Sequence, residues 1–324
     1  MRKVTISVED WPTKQSFTIT GHTFTEAKVL VVTLEQDGVI GRGEGTGIYY
    51  LNETVDDLFT QANRVVGELE SGLSRQSLQM RLPRSGARNA IDCALWDLET
   101  KLSNKTIWQL TGVEPTEVVT VNTIGIDTPE AMAKQALSLD TPKIKVKLDG
   151  QNVIERLEAI RKARPEAEIV VDANQGWTFE QLMALAPVCK AMGITMIEQP
   201  LPRGEDSALE HYVAPLPLCA DESCLDTTEL EQASRRYQMI NIKLDKTGGL
   251  TEALKLARQA HEKGLGLMVG NMLGSSLAMA PAFVIAPLCQ LADLDGPILL
   301  QGDRESAMDF TGGIVTMPHP GLWG

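Results

Sequence analysis

An eight-stranded parallel α/β barrel joined to a smaller α+β domain is the fold class this sequence predicts. Three observations predict it. From Val118 onward, short apolar runs alternate with helical segments, and the strand candidates end near Ile126, Lys147, Asp172, Glu198, Asp221, Lys243, Gly270 and Asp293. The intervals of 21 to 27 residues each hold one strand and one helix. Before Val118 the order differs, with strands first and helices after, which marks a separate domain. Finally, the strand candidates stop in charged residues, and a (β/α)₈ barrel carries its chemistry at the C-terminal strand ends.

Residues 1 to about 50 are β-rich: VTISVEDW, SFTITG and AKVLVVTLEQ read as strands, and Asp37-Gly38 reads as a hairpin turn. From Val55 to Leu110 apolar residues recur at three- and four-residue spacing, most clearly in ARNAIDCALWDLETKLSN. Gly112 and Pro115 close this region, which sets the domains at 1–115 and 116–299. Within the barrel, PEAMAKQALSL, VIERLEAIRKA, FEQLMALAPVCKAMG and LTEALKLARQAHEKG fit helices. No helix pattern follows the eighth strand, and residues 300–324 are expected to return to the N-terminal domain.

The chain has 324 residues and 43% hydrophobic side chains, enough for a barrel core. Its net charge of −13, without basic runs, argues against nucleic acid or an anionic membrane as partner. Five cysteines without metal-type or framework spacing read as reduced thiols, and no apolar h-region or membrane-length run is seen. A cytoplasmic protein is expected. The oligomeric state is left open, a homo-oligomer included.

Asp172, Glu198 and Asp221 follow the apolar runs EIVV, TMI and LPLCA. Any one of them suits a helix cap or a local salt bridge. Three at equivalent strand ends would repel one another unless a cation lies between them. An all-oxygen set points to Mg²⁺, with Mn²⁺ as substitute. Lys145 and Lys147 are two apart, so both face the barrel interior while Ile144, Val146 and Leu148 pack outward. Lys243 faces inward in NIKLDK, across the barrel from Lys147; Lys246 has opposite parity and ranks lower. Neighbouring cations are expected to lower a lysine's pKa toward that of a general base. Two bases on opposite sides of a metal-held carboxylate permit removal of an α-proton on one face and its return on the other.

Together the KVK, DAN, IEQP, ADES and NIKLDKTGG segments, with ALWDL in the first domain, resemble the enolase superfamily, muconate-lactonizing subgroup, in order and spacing over essentially the whole chain. The resemblance implies a modified TIM barrel of (β/α)₇β type under an α+β capping domain. It assigns Lys147 and Lys243 as acid/base pair, Lys145 as electrostatic aid to Lys147, and Asp172, Glu198 and Asp221 as Mg²⁺ ligands. Asn174 and Glu222 adjoin those ligands. Within the subgroup the chain resembles the dipeptide epimerases, typified by L-Ala-D/L-Glu epimerase, through Asp293 and Asp295 in LADLDGP, which in that group bind the dipeptide ammonium. The implied reaction is inversion at the α-carbon of the C-terminal residue through a metal-stabilised enediolate, in salvage of cell-wall peptides. One departure stands out: Phe24 occupies the place where glutamate-selective members carry an arginine, with His22 the nearby partial cation and Arg42 or Arg203 as substitutes. A small or apolar second residue is therefore an open alternative to glutamate. Also open are N-acylamino acid racemase, o-succinylbenzoate synthase and cycloisomerase chemistry, a Schiff-base lyase, and a metal-dependent binding protein without catalysis.

Overall fold

A computed structural model describes residues 2–324. The N-terminal strands β1 (Lys3–Ile19), β2 (His22–Gln36) and β3 (Val39–Thr46) form one antiparallel sheet. Asp37 and Gly38 both have positive φ, at 54° and 78°, as a two-residue primed turn requires. VTISVEDW and SFTITG are a single strand: the register shifts between Pro12 and Phe17, and this bulge absorbs the proline without ending the pairing.

Five helices follow: α1 (Val55–Asn63), α2 (Val66–Glu70), α3 (Arg75–Arg81), α4 (Gly86–Ser103) and α5 (Ile107–Thr111). The long α4 lies against β3 because both surfaces are small. Gly41, Gly43 and Gly45 share one face of β3, and a Cβ on any of them would overlap backbone of Ala94, Ala90 or Gly86. The GRGEG run and the small residues at four-residue spacing in α4 are thus two halves of one contact.

The barrel begins with β4 (Val118–Val119) and β5 (Asn122–Ile124), then α6 (Pro129–Ser138), β6 (Lys143–Lys147), α7 (Val153–Ala163), β7 (Glu168–Asp172), α8 (Phe179–Ala191) and β8 (Ile194–Glu198). It continues through β9 (Leu218–Ala220), α9 (Leu230–Arg236), β10 (Met239–Lys243), the one-turn α10 (Leu244–Thr247), α11 (Leu250–Glu262), β11 (Gly266–Gly270), α12 (Ser276–Phe283) and β12 (Leu291–Ala292). Strands β5 to β12 pair in chain order as a parallel sheet, and a bridge between Thr120 and Ala292 joins its two ends. A 3₁₀ helix (Ser207–His211) links β8 to β9, and among the described residues only 3₁₀ turns and no α-helix follow β12, so the barrel is of (β/α)₇β type. Inward residues below the mouth form an apolar plug of Val121, Val170, Met196, Cys219, Met239, Met268 and Leu291.

After β12 the chain turns back. Gln301 N donates to Pro12 O, β13 (Ile314–Val315) pairs with β4, and Trp323 Nε1 donates to Cys93 O in α4. The five cysteines are free. Among the described residues no helix is long and apolar enough to cross a membrane.

Candidate active site

The period of two places the strand-end side chains. In β6, Ile144 and Val146 are fully buried in the outer layer, which turns Lys145 and Lys147 inward. The same parity turns Asp172, Glu198 and Lys243 inward, and Asp221 and Asp293 follow immediately after β9 and β12. Lys147 on β6 and Lys243 on β10 stand four strands apart in an eight-strand ring, hence on opposite sides. Both line one cavity together with Asn174, Asp221, Glu222, Asp293 and Asp295. Its roof comes from the capping domain, through Phe17, Ile19, Phe24, Tyr49 and Tyr50.

Charges at the barrel mouth are paired internally. Lys145 Nζ lies 2.7 Å from Glu198 Oε2, 2.8 Å from Asp293 Oδ2 and 3.1 Å from Asp172 Oδ2. Lys147 Nζ contacts Asp172 Oδ2 at 2.6 Å. Asp221 is held on both oxygens, by Lys243 at 2.7 Å and Lys246 at 2.6 Å. Burial works against ionising Asp172 and Asp221, yet their lysine neighbours outweigh it and lower both pKa values. Burial raises Glu198 and Glu222, reinforced by Asp172 and Asp221 respectively. Burial also disfavours the ammonium forms of Lys145 and Lys243, but the carboxylates prevail and raise both. The nearest charges to Lys145 and Lys243 are acids, which stabilise the ammonium.

Whether this site fits a hard cation can be tested on its oxygens. Four buried oxygens have no hydrogen-bond donor: Glu198 Oε2, Glu222 Oε2, Asn174 Oδ1 and Asn241 Oδ1. The 2.7 Å approach of Lys145 to Glu198 Oε2 is an ion contact outside hydrogen-bonding angles. Unpaired buried oxygen is costly and suits an oxygen-seeking cation. Among the described residues no three His, Cys, Asp or Glu side chains are already gathered to ligating distance, because lysine ammonium groups stand between the acids. The donor set fits Mg²⁺ in kind, and ligation requires the carboxylates to turn from the lysines.

Asp293 and Asp295 share the cavity as their spacing predicts. Asp293 carries Lys145, and Asp295 Oδ2 accepts from Thr123 N at 2.6 Å. Burial opposes Asp293 but Lys145 lowers its pKa, whereas burial and then Asp293 raise Asp295. Asn174 N donates to Asp172 Oδ1 at 2.9 Å, and Asn174 Nδ2 reaches Glu222 Oε1 at 3.4 Å. Phe24 lines the cavity. His22 does not: its ring packs 4.3 Å from Phe24 and 5.0 Å from Tyr49, and it opens onto an adjoining surface pocket. Arg42 is exposed on β3, and Arg203 is engaged by Glu229 at 2.6 Å and by Glu222 O. Neither lines the cavity.

The fold brings three further polar residues to the site, of which the sequence ranks Lys246 low. Lys246 is fully buried and donates toward Asp221 Oδ1, Asp221 O, Asn241 O and Cys224 O. Its signal was the KTGG run, where Gly248 and Gly249 at positive φ fold α10 back against the strand end. Asn241 Nδ2 donates to Glu198 Oε1 at 2.7 Å, and its parity with Lys243 could have found it. Gln199 accepts from Asp221 N and Ser223 N through one oxygen and donates through Nε2 to Tyr237, Ser223 and Leu201, which sets the backbone that carries Asp221.

Comparison with known proteins agrees with this geometry. Residues 1–112 match the mandelate racemase / muconate lactonizing enzyme N-terminal domain, and residues 129–322 match the enolase C-terminal domain-like model. L-Ala-D/L-Glu epimerase of Escherichia coli K12 is 45% identical over 97% of this chain and 99% of its own. A crystal structure of an Agrobacterium tumefaciens enolase family member with homology to dipeptide epimerases, with bound sodium and L-Ala-L-Glu, superposes with TM-score 0.97 at 39% identity over the full length of both chains. The dipeptide epimerase of Enterococcus faecalis, solved with Mg and L-Leu-L-Tyr, superposes with TM-score 0.92 at 26% identity, over 99% of this chain and 98% of its own. Fold and relatives define an isomerase of the racemase and epimerase kind. The chain belongs to the mandelate racemase / muconate lactonizing enzyme family of the enolase superfamily.

Proposed function

We propose that this chain is a Mg²⁺-dependent dipeptide epimerase that inverts the α-carbon of the C-terminal residue of L-Ala-Xaa dipeptides. The observation that carries the reading is that Lys147 and Lys243 line one cavity from opposite sides, with Asp172, Glu198 and Asp221 between their strands and Asp293 and Asp295 at the next edge. In this reading Asp172, Glu198 and Asp221 hold the metal, Mg²⁺ or in its place Mn²⁺. Bound there, it supplies positive charge that holds the substrate carboxylate and favours loss of the neighbouring proton. In this reading one lysine, as the neutral amine, takes the α-proton on its face, and the opposite lysine, as ammonium, delivers a proton to the other, so configuration inverts and no net proton is consumed. Lys145 ties Asp172, Glu198 and Asp293 together and so orders the floor of the site. Asp293 and Asp295 receive the substrate ammonium. The working barrel we assign is 116–299 under a 1–115 cap, with 300–324 packed back on the cap; the family match at 1–112 supports the extent of the cap.

Phe17, Ile19, Phe24, Tyr49, Leu273 and Leu299 make the apolar wall of the cavity, whose lining holds no arginine or histidine, and there we place the second side chain of the dipeptide. A carboxylate placed against this wall would lose its hydration without a partner. We therefore assign an uncharged, apolar second residue in preference to glutamate. Incubation with Mg²⁺ and a dipeptide library in D₂O, read by mass gain at the α-carbon, tests both points. Exchange in L-Ala-L-Leu or L-Ala-L-Phe above L-Ala-L-Glu supports the assignment. The reverse order overturns the side-chain preference, and exchange in N-acylamino acids alone overturns the dipeptide reading.

A further inference from the structure

An ion pair outside the cavity, with a buried carboxylate and a half-buried guanidinium, takes part in no step above. Glu44, on β3, is fully buried. Its carboxylate accepts from Ser275 N at 2.8 Å, from Ser275 Oγ and from Arg304 Nη2 at 2.6 Å. Arg304 also donates through Nε to Ser275 Oγ at 2.9 Å and meets Glu9 through Nη1 at 2.6 Å. Its guanidinium lies 4.9 Å from the centre of the Trp11 ring. The capping sheet, the C-terminal tail and a barrel loop therefore converge on one carboxylate. Burying that charge is costly unless every partner is in place, so the contact is geometrically exacting.

Ser275 ends the loop between β11 and α12, and it is the N-cap of α12. Within that loop Asn271, Met272 and Leu273 line the cavity. Met272 and Leu273 also border the neighbouring surface pocket with Phe24 and Tyr49, so these four side chains form one wall between the two spaces. The loop is anchored at one end where Asn271 Nδ2 donates to Asp293 O. Glu44 anchors the other end through Ser275. Between them, a Cβ on Gly274 would sit 3.0 Å from Glu44 Oε1, so the loop leaves no free room for a side chain beside the carboxylate.

We infer that Glu44 and Arg304 are positioning residues for the side-chain subsite: by clamping Ser275 they hold the 271–274 wall at the depth that admits the second residue of the dipeptide. The inference rests on the dipeptide reading for its substrate and on the structure alone for its mechanics. A pair that merely joined cap to barrel would affect stability, or all substrates equally.

The test uses the full-length protein with Ser275→Ala, Arg304→Met and the conservative Arg304→Lys. Amide hydrogen exchange over 271–277 needs no substrate; it is expected to speed at least about tenfold in Ser275→Ala and Arg304→Met while β7 and β8 keep their protection. In D₂O assays KM for L-Ala-L-Phe is expected to rise about tenfold, with kcat and the KM for L-Ala-L-Ala changed less than about threefold and Arg304→Lys intermediate. Unchanged exchange over 271–277 in a folded variant overturns the clamp. Equal loss for all dipeptides, or loss confined to kcat, overturns the subsite role. Should the unmodified protein exchange no dipeptide, the functional reading fails while hydrogen exchange still decides the clamp.

Discussion

Replacing Lys246 by methionine isolates a residue whose contribution rests on tertiary contacts alone. The ammonium lies 2.6 Å from Asp221 Oδ1 and from Asp221 O, 2.8 Å from Asn241 O and 3.2 Å from Cys224 O, with no exposed surface. Methionine fills nearly the same volume, so packing changes little. What is lost is the donor. Removing one partner of a buried pair costs about 3–5 kcal/mol. Asp221 keeps Lys243 at 2.7 Å, so its charge is not left wholly unpaired and the lower half of that range applies. A loss of about 3 kcal/mol is expected in urea unfolding monitored by tryptophan fluorescence. Asp221 would also be free to rotate toward Lys243, and loss of such a support weakens a metal site about 10–100-fold. Calorimetric titration with Mg²⁺ measures that second effect. A Lys246→Met protein with unchanged unfolding free energy and Mg²⁺ affinity within twofold of the unmodified chain would refute the reasoning.

Other perturbations test other parts of the argument. Lys147→Ala and Lys243→Ala should each slow epimerisation about 10²–10⁴-fold. Each should leave α-proton exchange from one epimer only, the two variants retaining opposite ones; D₂O exchange from separate L,L and L,D substrates checks this, and loss of the same epimer in both sinks the two-face scheme. Asp293→Asn should raise KM for dipeptides at least about tenfold while N-acetylated analogues are unaffected, since only the former present an ammonium. Gly43→Ala places a Cβ on the Ala90 carbonyl and must part β3 from α4, so it should cost about 1–3 kcal/mol or more in denaturant unfolding. Burial raises the Asp92 carboxyl to about 6, against hydrogen bonds from Thr251 that lower it. Its neutral form is the one the fold prefers, so its stabilisation is complete below the unfolded value of 3.8 and is lost as pH rises through about 6. Asp92→Asn should flatten this fall between pH 4 and 7 in unfolding free energies, and an unchanged slope would count against it.

The barrel, its strand order and most of its charged mouth were legible in the amino-acid sequence. An apolar strand with a period of two assigns each side chain to a face locally, and regular strand-helix units bring equivalent strand ends together. Hence Lys145, Lys147, Asp172, Glu198, Asp221, Lys243, Asp293 and Asp295 could be gathered from the sequence. Tertiary structure alone decided the rest. Lys246 lies in the turn of α10, where strand parity does not hold, and only the folding of α10 against the end of β10 puts its ammonium under Asp221. His22 shares a strand face with Phe24, yet Tyr49, from a later loop, takes its ring surface. Glu44 and Arg304 stand 260 residues apart and meet because the tail returns across the cap. Local periodicity sets which way a side chain points; what it meets there depends on distant chain, and pairing, burial and the resulting charge state follow from that meeting.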